Sequence, residues 1–289
     1  MAAKVEKDAV SGTDTTGHVW DGIRELNTPL PKWWLYVFYA CIIWSIGYWV
    51  VYPAWPSLSN YTKGVFGYNS HAEFAARMAE VEQSRKQWTD RIAAMSVDQV
   101  AADTELLQYA MAGGRAVFGE NCAPCHGSGG QGAKGFPVLA DDDWLWGGSL
   151  DNIRQTVLYG IRSGNDEARV SEMPKFGTDE ILEPAQIDDV AQFVMSLSNR
   201  ATDAAAAQRG SELFAENCAV CHGDTGQGMQ ELGAPNLTDD IWLYGGSQEA
   251  ITAQIADPKQ GVMPAWDGRL SETAVKMATV YVHSLGGGQ

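Results

Sequence analysis

Two copies of a Cys-x-x-Cys-His motif are the residues of this chain most able to do chemistry. On one helical turn, cysteines three apart and the residue that follows project from nearly the same face. Two thiols can therefore bond the two vinyl groups of one porphyrin while the adjoining imidazole reaches its iron. The spacing predicts two covalently bound haem c groups, attached through cysteines and ligated by histidines at Cys122, Cys125, His126, Cys218, Cys221 and His222.

Zinc and dithiol chemistry are the alternatives for such a motif. A structural zinc site needs a second Cys or His pair, usually about 12 to 20 residues further on. After His126 the next Cys or His is Cys218, far outside that spacing. A thioredoxin-like pair belongs in an alternating βαβ setting, and no alternating strand pattern surrounds either motif. Haem attachment is therefore the favoured interpretation.

The charge of the chain limits its partners. The 289 residues carry a formal net charge of −16, which disfavours binding to nucleic acid. Almost all of the negative charge lies after the apolar segment that ends at residue 52. Such a field favours docking of a basic soluble protein, although it can equally serve only to keep an exported domain soluble. Cys41, the one cysteine outside the motifs, is interpreted as a small hydrophobic residue.

Residues 33–52 form an uncharged run of twenty residues, WWLYVFYACIIWSIGYWVVY. As a helix this run spans about 30 Å, the thickness of a bilayer core, and aromatic residues mark both of its ends. The polar stretch before it and its length argue against a cleaved signal peptide. Basic residues are more frequent before the run than after it, which predicts a cytoplasmic N-terminal segment, 1–32, and an exported remainder. Covalent haem attachment in bacteria takes place on that outer, periplasmic side.

The exported part divides into a linker and an internal repeat. Residues 53–112 predict a loop followed by linker helices, with an apolar stripe over 71–95 and a capping box at Ser96 and Gln99. Matching segments then recur around both motifs, and each copy ends in a helical apolar stretch. The prediction is a mainly α protein with one N-terminal transmembrane helix and two tandem class I cytochrome c domains, at 113–199 and 206–289. Each domain is small enough to need its cofactor to complete the core.

The sixth iron ligand separates an electron carrier from an enzyme. Met173 and Met263 occupy matching places in the repeat, and each precedes a proline that stiffens the loop. Ligation by His and Met closes both faces of the iron, which suits outer-sphere electron transfer. Trp144, Trp146, Trp242 and Tyr244 are predicted to wall the haem crevices, and Ser149 and Ser247 to cap helices. Met111, Met195 and Met277 fit core packing better, and His71 is an outside candidate ligand.

The stretch TGHVWDGIRELNTPLPKWW at residues 16–34, the YPAWP sequence at 52–56 and the paired motifs resemble the dihaem subunit III of proteobacterial cbb3-type cytochrome c oxidases. The resemblance covers nearly the whole chain. It implies a non-catalytic inner-membrane subunit that takes electrons from a cytochrome c and passes them to the monohaem and haem–copper subunits. The axial ligands of the family map onto His126, His222, Met173 and Met263. Whether each methionine serves the haem of its own copy or of the neighbouring copy stays open.

Two other functions share these features. A stand-alone membrane-tethered electron carrier for another reductase or dehydrogenase would have the same haem motifs and differ only in its partners. A dihaem peroxidase or gas sensor needs an accessible iron, and the two methionines argue against it. The aromatic stretch at 16–34 favours the oxidase subunit, because anchoring alone does not require it.

Overall fold

A computed structural model describes residues 5–286, and its contacts divide the chain into a unit that ends at Ser84 and one that begins at Arg85. Each unit is described by itself. The first unit holds a β-hairpin and a long apolar helix, and the second holds both Cys-x-x-Cys-His motifs. The architecture is mainly helical, as predicted.

The N-terminal segment contains a β-hairpin that the sequence analysis did not predict. Strand β1 spans Thr15–Trp20 and pairs antiparallel with β2, Ile23–Leu26. Asp21 and Gly22 form the turn with φ angles of 48° and 85°, the left-handed pair that a tight hairpin requires. Val19, Trp20 and Ile23 are exposed at the turn end. The hairpin therefore presents an apolar tip.

The apolar run forms helix α1, Lys32–Val51, which among the described residues is the helix long and apolar enough to cross a membrane. None of its side chains is buried within the chain. The segment that follows folds back onto its carboxyl end, where Val65 N–H donates to Val50 O at 3.0 Å and Phe66 N–H to Val51 O at 3.2 Å. Two carbonyls at the end of the helix are thereby satisfied without water.

The linker contains two helices, α2, Ser70–Ala94, and α3, Val97–Ala102. The capping box predicted at Ser96 and Gln99 is confirmed, with both reciprocal hydrogen bonds present. The apolar stripe predicted over 71–95 is buried in its last part only. Ile92 is fully buried, whereas the stripe residues at the start of α2 (Phe74, Met78 and Val81) are exposed.

The second unit continues with eight helices among the described residues. They are α4 (Thr104–Asn121), α5 (Ala123–His126), α6 (Leu150–Tyr159), α7 (Pro184–Leu197), α8 (Ala204–Asn217), α9 (Ala219–His222), α10 (Gln248–Ala256) and α11 (Glu272–Leu285). A short 3-10 turn, Gln230–Leu232, lies between α9 and α10. Ser149 and Ser247 accept hydrogen bonds from Asn152 N–H and Ala250 N–H, so both predicted N-caps are confirmed.

The terminal helices of the two repeat copies are exchanged in space. Helix α11, from the second copy, packs on α4 and α6 of the first, while α7, from the first copy, packs on α8 and α10 of the second. One core therefore combines Phe118 and Ile153 with Val275, and the other combines Ile187 with Phe214. The repeat is consecutive in sequence, and its limits at 113–199 and 206–289 stay a prediction, but neither copy closes its core with its own last helix.

Two glycines permit the exchanged helices to cross. A Cβ built on Gly114 in α4 would overlap the Met277 carbonyl of α11, and one on Gly210 in α8 would overlap the Asp189 carbonyl of α7. An aromatic pair flanks each crossing, Phe118 with Tyr281 at 5.4 Å between ring centroids and Phe193 with Phe214 at 4.9 Å. Backbone contact at the glycines and ring packing beside them fix how each pair of helices meets.

A buried lysine joins the linker to the first of these cores. Lys276 of α11 is 5 % exposed, and its Nζ donates to the carbonyls of Ala93 at 2.9 Å and Met95 at 2.7 Å. These carbonyls lie at the end of α2, where the helix dipole favours a cation. The ammonium group therefore caps α2 and holds its last turn against α11.

Replacing Gly114 with Ala tests the crossing. The added methyl group has no room beside the Met277 carbonyl, so the free energy of unfolding should fall by about 1–3 kcal/mol. Gly119→Ala in the same helix is the matched control, because no atom lies within 4 Å of its Cβ position. That change should be neutral or stabilise by up to about 1 kcal/mol. Denaturant unfolding of the detergent-solubilised chain measures both, and equal effects would contradict the proposed crossing.

Candidate haem attachment sites

Both motifs begin where a long helix ends. Helix α4 is followed by Cys122, whose carbonyl accepts from the N–H groups of Cys125 at 3.1 Å and His126 at 2.9 Å. Helix α8 is followed by Cys218, which accepts in the same way from Cys221 at 3.1 Å and His222 at 3.0 Å. In each copy this tight turn brings the two thiols close enough to interact, with the histidine directly after the second.

Both histidines are held by a proline carbonyl. The Nδ1 atom of His126 lies 3.1 Å from Pro137 O, and that of His222 lies 3.1 Å from Pro235 O. A carbonyl can only accept, so each Nδ1 carries the proton and each Nε2 lone pair is left for a metal. Burial lowers the pKa of both histidines, which keeps the imidazoles neutral and able to ligate.

The first cysteine of each motif lies deeper than the second. Burial, followed by the neighbouring thiol, raises the pKa of Cys122 and of Cys218 to about 11. Both cysteines belong to apolar clusters, and no disulfide joins any of the five cysteines, all of which lie in the described part. These two thiols are therefore protonated in an apolar setting, which disfavours metal binding by thiolate.

Each methionine lies in the core of the opposite repeat copy, as the terminal helix of its own copy does. Met263 packs in the apolar cluster that contains Cys122 and Ala123 of the first motif. Met173 packs in the cluster that contains Cys218 and Ala219 of the second motif. The structure thus brings Met263 together with the first motif and Met173 with the second.

Backbone contacts hold each methionine loop in the opposite copy. Met263 and Ile161 exchange two backbone hydrogen bonds of 3.0 Å, and a Cβ on Gly160 would overlap the Met263 carbonyl. The Met173 loop continues to Gly177, whose N–H donates to Ala256 O at 3.1 Å, and Gln260 Nε2 donates to Met173 O at 3.2 Å. Each loop is therefore positioned by the helix, α6 or α10, that follows the other copy's motif.

Two matched tryptophans show that the crevices fit a haem. Trp144 and Trp242 pack in the same clusters as Cys122 and Cys218, respectively. The indole Nε1 of each is buried, and neither has a hydrogen-bond partner among the described residues. Buried donors are almost always paired, so each crevice needs an acceptor that the protein does not supply. A haem carries carboxylates, and the cysteines, the neutral imidazole and the apolar walls suit the remainder of the group.

The other two predicted wall residues reach across to the opposite motif. A Cβ on Gly233, in the loop after the second motif, would overlap the Trp146 ring, and Gly135, after the first motif, donates its N–H to Leu243 O at 2.9 Å beside Tyr244. Trp146 and Tyr244 therefore pack on the loop that holds the other copy's histidine. The structure places them between the two sites rather than as walls of their own crevices alone.

Gly132 and Gly228 occupy matching places in the loops that follow the two motifs. A Cβ on Gly132 would lie 2.7 Å from Phe136 O, and one on Gly228 would lie 2.5 Å from Ala234 O, with φ angles of 66° and 79°. The positive φ and the lack of space both arise where each loop closes on its own backbone.

The remaining candidate residues lie where core packing or exposure explains them. Met195 is buried in the second core, and Met111 and Met277 pack beside Ile92 and Val100. His71, the outside candidate ligand, is exposed in the first turn of α2. The sequence analysis missed Pro137 and Pro235, although a proline recurs after both glycine-rich loops. It also missed Arg169 and Arg200, whose guanidinium groups lie over tryptophan rings.

Two haem-attachment motifs on helical cores of this kind define a dihaem c-type cytochrome. Three family models match the chain: the N-terminal domain of cytochrome oxidase-cbb3, FixP, at residues 12–59; cytochrome c at 111–198; and cytochrome c oxidase, cbb3-type, subunit III at 205–282. The chain is 54 % identical to the cbb3-type cytochrome c oxidase subunit FixP of Bradyrhizobium sp. (strain ORS 278), with 100 % of both chains covered.

Similar relatives come from other bacteria. The cbb3-type cytochrome c oxidase subunit FixP of Azorhizobium caulinodans is 54 % identical over 98 % of this chain and 96 % of its own. The subunit CcoP of Azospirillum brasilense is 51 % identical over 99 % of this chain and 100 % of its own. The chain belongs to this FixP/CcoP family of cbb3-type oxidase subunits and carries two covalently bound haem c groups.

Proposed function

We propose that this chain is the subunit at which electrons enter a cbb3-type cytochrome c oxidase, receiving them from a donor cytochrome c and passing them to the monohaem subunit and on to the haem–copper subunit. Full-length similarity to FixP and CcoP subunits supports this function over a stand-alone carrier. The observation that carries it is the pairing of two equivalent haem-attachment sites, each with a motif cysteine and a methionine in one apolar cluster. The haems supply one-electron redox chemistry when bound.

For the first site, we propose attachment through Cys122 and Cys125 and axial ligation by His126 and Met263. For the second, the corresponding residues are Cys218, Cys221, His222 and Met173. The crossed assignment of the methionines rests on the clusters they share with the opposite motif and on the backbone pairing of Met263 with Ile161. Each ligand set thus draws on both repeat copies.

A subunit of this kind does not catalyse oxygen reduction by itself. A histidine and a methionine on each iron would leave no coordination position for a substrate, and the bound haems would then supply outer-sphere electron transfer. The apolar packing of both methionines supports this arrangement. An accessible iron, as a peroxidase or gas sensor needs, would require one of those loops to leave its core.

The N-terminal unit is proposed to dock on the other oxidase subunits. Helix α1 anchors the chain in the inner membrane, and the basic residues before the uncharged run 33–52, which include Arg24 and Lys32, favour a cytoplasmic N-terminus with the haem cores in the periplasm. The hairpin tip exposes Val19, Trp20 and Ile23 beside this anchor. An exposed apolar tip on a short hairpin is suited to burial against a partner.

A basic donor is proposed to dock on an acidic surface formed by both copies. Burial, then Asp239, Asp141 and Asp142, raises the pKa of Asp143, so carboxylates from the two copies lie close enough to interact. The patch contains Asp141, Asp142, Asp143, Asp239 and Asp240. A field of this sign accelerates association with a positively charged protein and weakens as salt rises.

Carbon monoxide tests the ligand assignment. The reduced wild-type chain should bind it at neither iron, and rapid binding would instead favour an open site. In a chain that keeps only the first haem (Cys218→Ser with Cys221→Ser), Met263→Ala should open the iron to carbon monoxide and Met173→Ala should not. The reciprocal background, Cys122→Ser with Cys125→Ser, should reverse the two results. Absorption spectra report binding, and the opposite pattern would assign each methionine to its own copy.

Deleting residues 1–28 tests the docking surface. The deletion removes the hairpin and keeps α1, so the haem-stained chain should still reach the membrane but no longer co-purify with the other oxidase subunits. Trp20→Ser with Ile23→Ser should weaken co-purification in the same direction, because it removes apolar area from the tip. Val10→Ser, exposed outside the hairpin, is the matched control. Normal assembly of the deleted chain would rule out docking through this segment.

Neutralising exposed carboxylates tests the donor surface. Asp142→Asn with Asp240→Asn should lower the association rate of a basic cytochrome c several-fold at low ionic strength and flatten its salt dependence. Glu120→Gln with Glu216→Gln removes the same charge from matched exposed positions outside the patch. Stopped-flow reduction of the haems gives the rates. Identical rates for the two double variants would show that only net charge matters.

A further inference from the structure

The second haem crevice contains an arginine that has an unpaired N–H donor. Arg200 follows α7, and its guanidinium lies 5.2 Å from the ring centroid of Trp242. Its Nε donates to Ser198 Oγ at 2.9 Å and its Nη1 to Gly246 O at 2.7 Å. These two contacts hold the guanidinium plane in place, while Nη2 is buried without a partner among the described residues.

Trp242 also has an N–H donor that needs a hydrogen-bond acceptor. Its Nε1 is also buried without a partner in the described part of the chain, and its ring packs in the cluster with Cys218 and Met173. One stacked pair of side chains therefore offers two unpaired N–H donors, one of them cationic. The nearest carboxylate to the guanidinium, Asp240, lies 3.9 Å from Nε and is 89 % exposed, so it does not serve Nη2.

The donor chemistry selects the acceptor. A buried guanidinium N–H and an indole N–H together suit an anionic oxygen, because charge-assisted hydrogen bonds offset the cost of burying the cation. Within a crevice built for a haem, the carboxylates available are those of the haem itself. The pair is therefore complementary to a propionate of the haem attached at Cys218 and Cys221.

The first crevice repeats the tryptophan but not the arginine. Trp144 Nε1 is likewise buried and unpaired. After the equivalent helix α11, however, the sequence has Gly288 at the place of Arg200, counting three residues from Leu285 and from Leu197. Arg169 lies over Trp146, and its guanidinium donates to Thr156 Oγ1 at 2.9 Å and Asn152 Oδ1 at 3.0 Å. The exposed Arg269 lies over Trp266 of the same core rather than over Trp144.

Carboxylates lie near the first crevice, where no arginine lies over Trp144 in the described part of the chain. Asp141 is close to the end of α11, where a Cβ on Gly286 would overlap its carbonyl, and its Oδ1 is buried without a donor in the described residues. Asp143 is next to Trp144 in the chain and interacts with Asp239. Carboxylates thus precede both tryptophans, since Asp239 and Asp240 come before Trp242, and the crevices differ in the arginine that lies over Trp242.

From these observations, and on the proposed haem attachment, we infer that Arg200 and Trp242 bind a propionate of the second haem and that Arg200 raises the reduction potential of that haem relative to the first. Reduction adds an electron, and a fixed positive charge nearby stabilises the state that carries it. Arg200 is thus a positioning and potential-setting residue. It separates two haems whose protein ligands are of the same type.

Redox titration of the full-length chain with both haems tests the inference. Arg200→Gln should lower the midpoint potential of one haem component. At a fixed potential, the ratio of oxidised to reduced haem in that component should change by about threefold to tenfold. Arg200→Lys, which keeps the charge, should restore most of the shift. Arg169→Gln is the matched control, because that arginine also lies over a tryptophan but has its donors occupied, and it should move neither component.

Tryptophan variants assign the component and cover a folding failure. Trp242→Phe keeps the ring and removes the N–H group, so it should shift the component that Arg200→Gln shifts and alter the propionate vibrations in resonance Raman spectra. Trp144→Phe should affect the other component. If the Arg200→Gln variant does not retain its haem, the redox titration of Trp242→Phe tests the inference by itself.

The inference is wrong if the components of Arg200→Gln and Trp242→Phe match those of the wild type, or if Trp144→Phe shifts the same component as they do. Haem content by intact mass and co-purification with the oxidase are measured on the same samples. These readouts test attachment and assembly, so a failure of the proposed function is distinguishable from a failure of this contact.

Discussion

The crossing of exchanged helices at two glycines is the constraint on which the cytochrome unit depends. Gly114 lies against the backbone of α11 and Gly210 against that of α7, so each motif helix is paired with the terminal helix of the other copy. Because α11 follows both motifs, the first core cannot be completed without the second copy, and the second core needs α7 from the first copy. The two haem cores therefore form one interdependent unit and are not two independently folded domains.

This arrangement determines where the methionines go. A loop that leads into a terminal helix has to travel with that helix, and Met173 and Met263 lie in the loops before α7 and α11. The exchange therefore carries each methionine into the opposite core, where Gly160 and Ala256 receive the loops. Lys276 extends the same unit to the linker, since one side chain of α11 caps the last turn of α2.

The sequence predicts most of the elements and the attachment residues because those signals are local. Helix caps at Ser149 and Ser247, the apolar span and the two motifs depend on residues a few positions apart. The exchange depends on which of two similar helices fills a groove, and a repeat makes those choices nearly equivalent in pattern. Periodicity therefore could not decide it. The hairpin at Asp21–Gly22 was missed although its local signal, Asp-Gly between short apolar runs, was present.

A pseudo-symmetric frame needs asymmetric details if its two haems are to differ. The two histidines have the same partner type at the same distance, and both methionines come from equivalent loops, so the proposed iron ligands do not distinguish the sites. Differences have to come from groups beyond the ligands. These groups are Arg200, at the sequence position where the other copy has Gly288, and the carboxylates around Asp143. Neither difference disturbs the packing of a core. Charge near the haem edge changes the energy of the electron while leaving the packing unchanged, and this lets one duplicated fold hold two electron carriers of different potential.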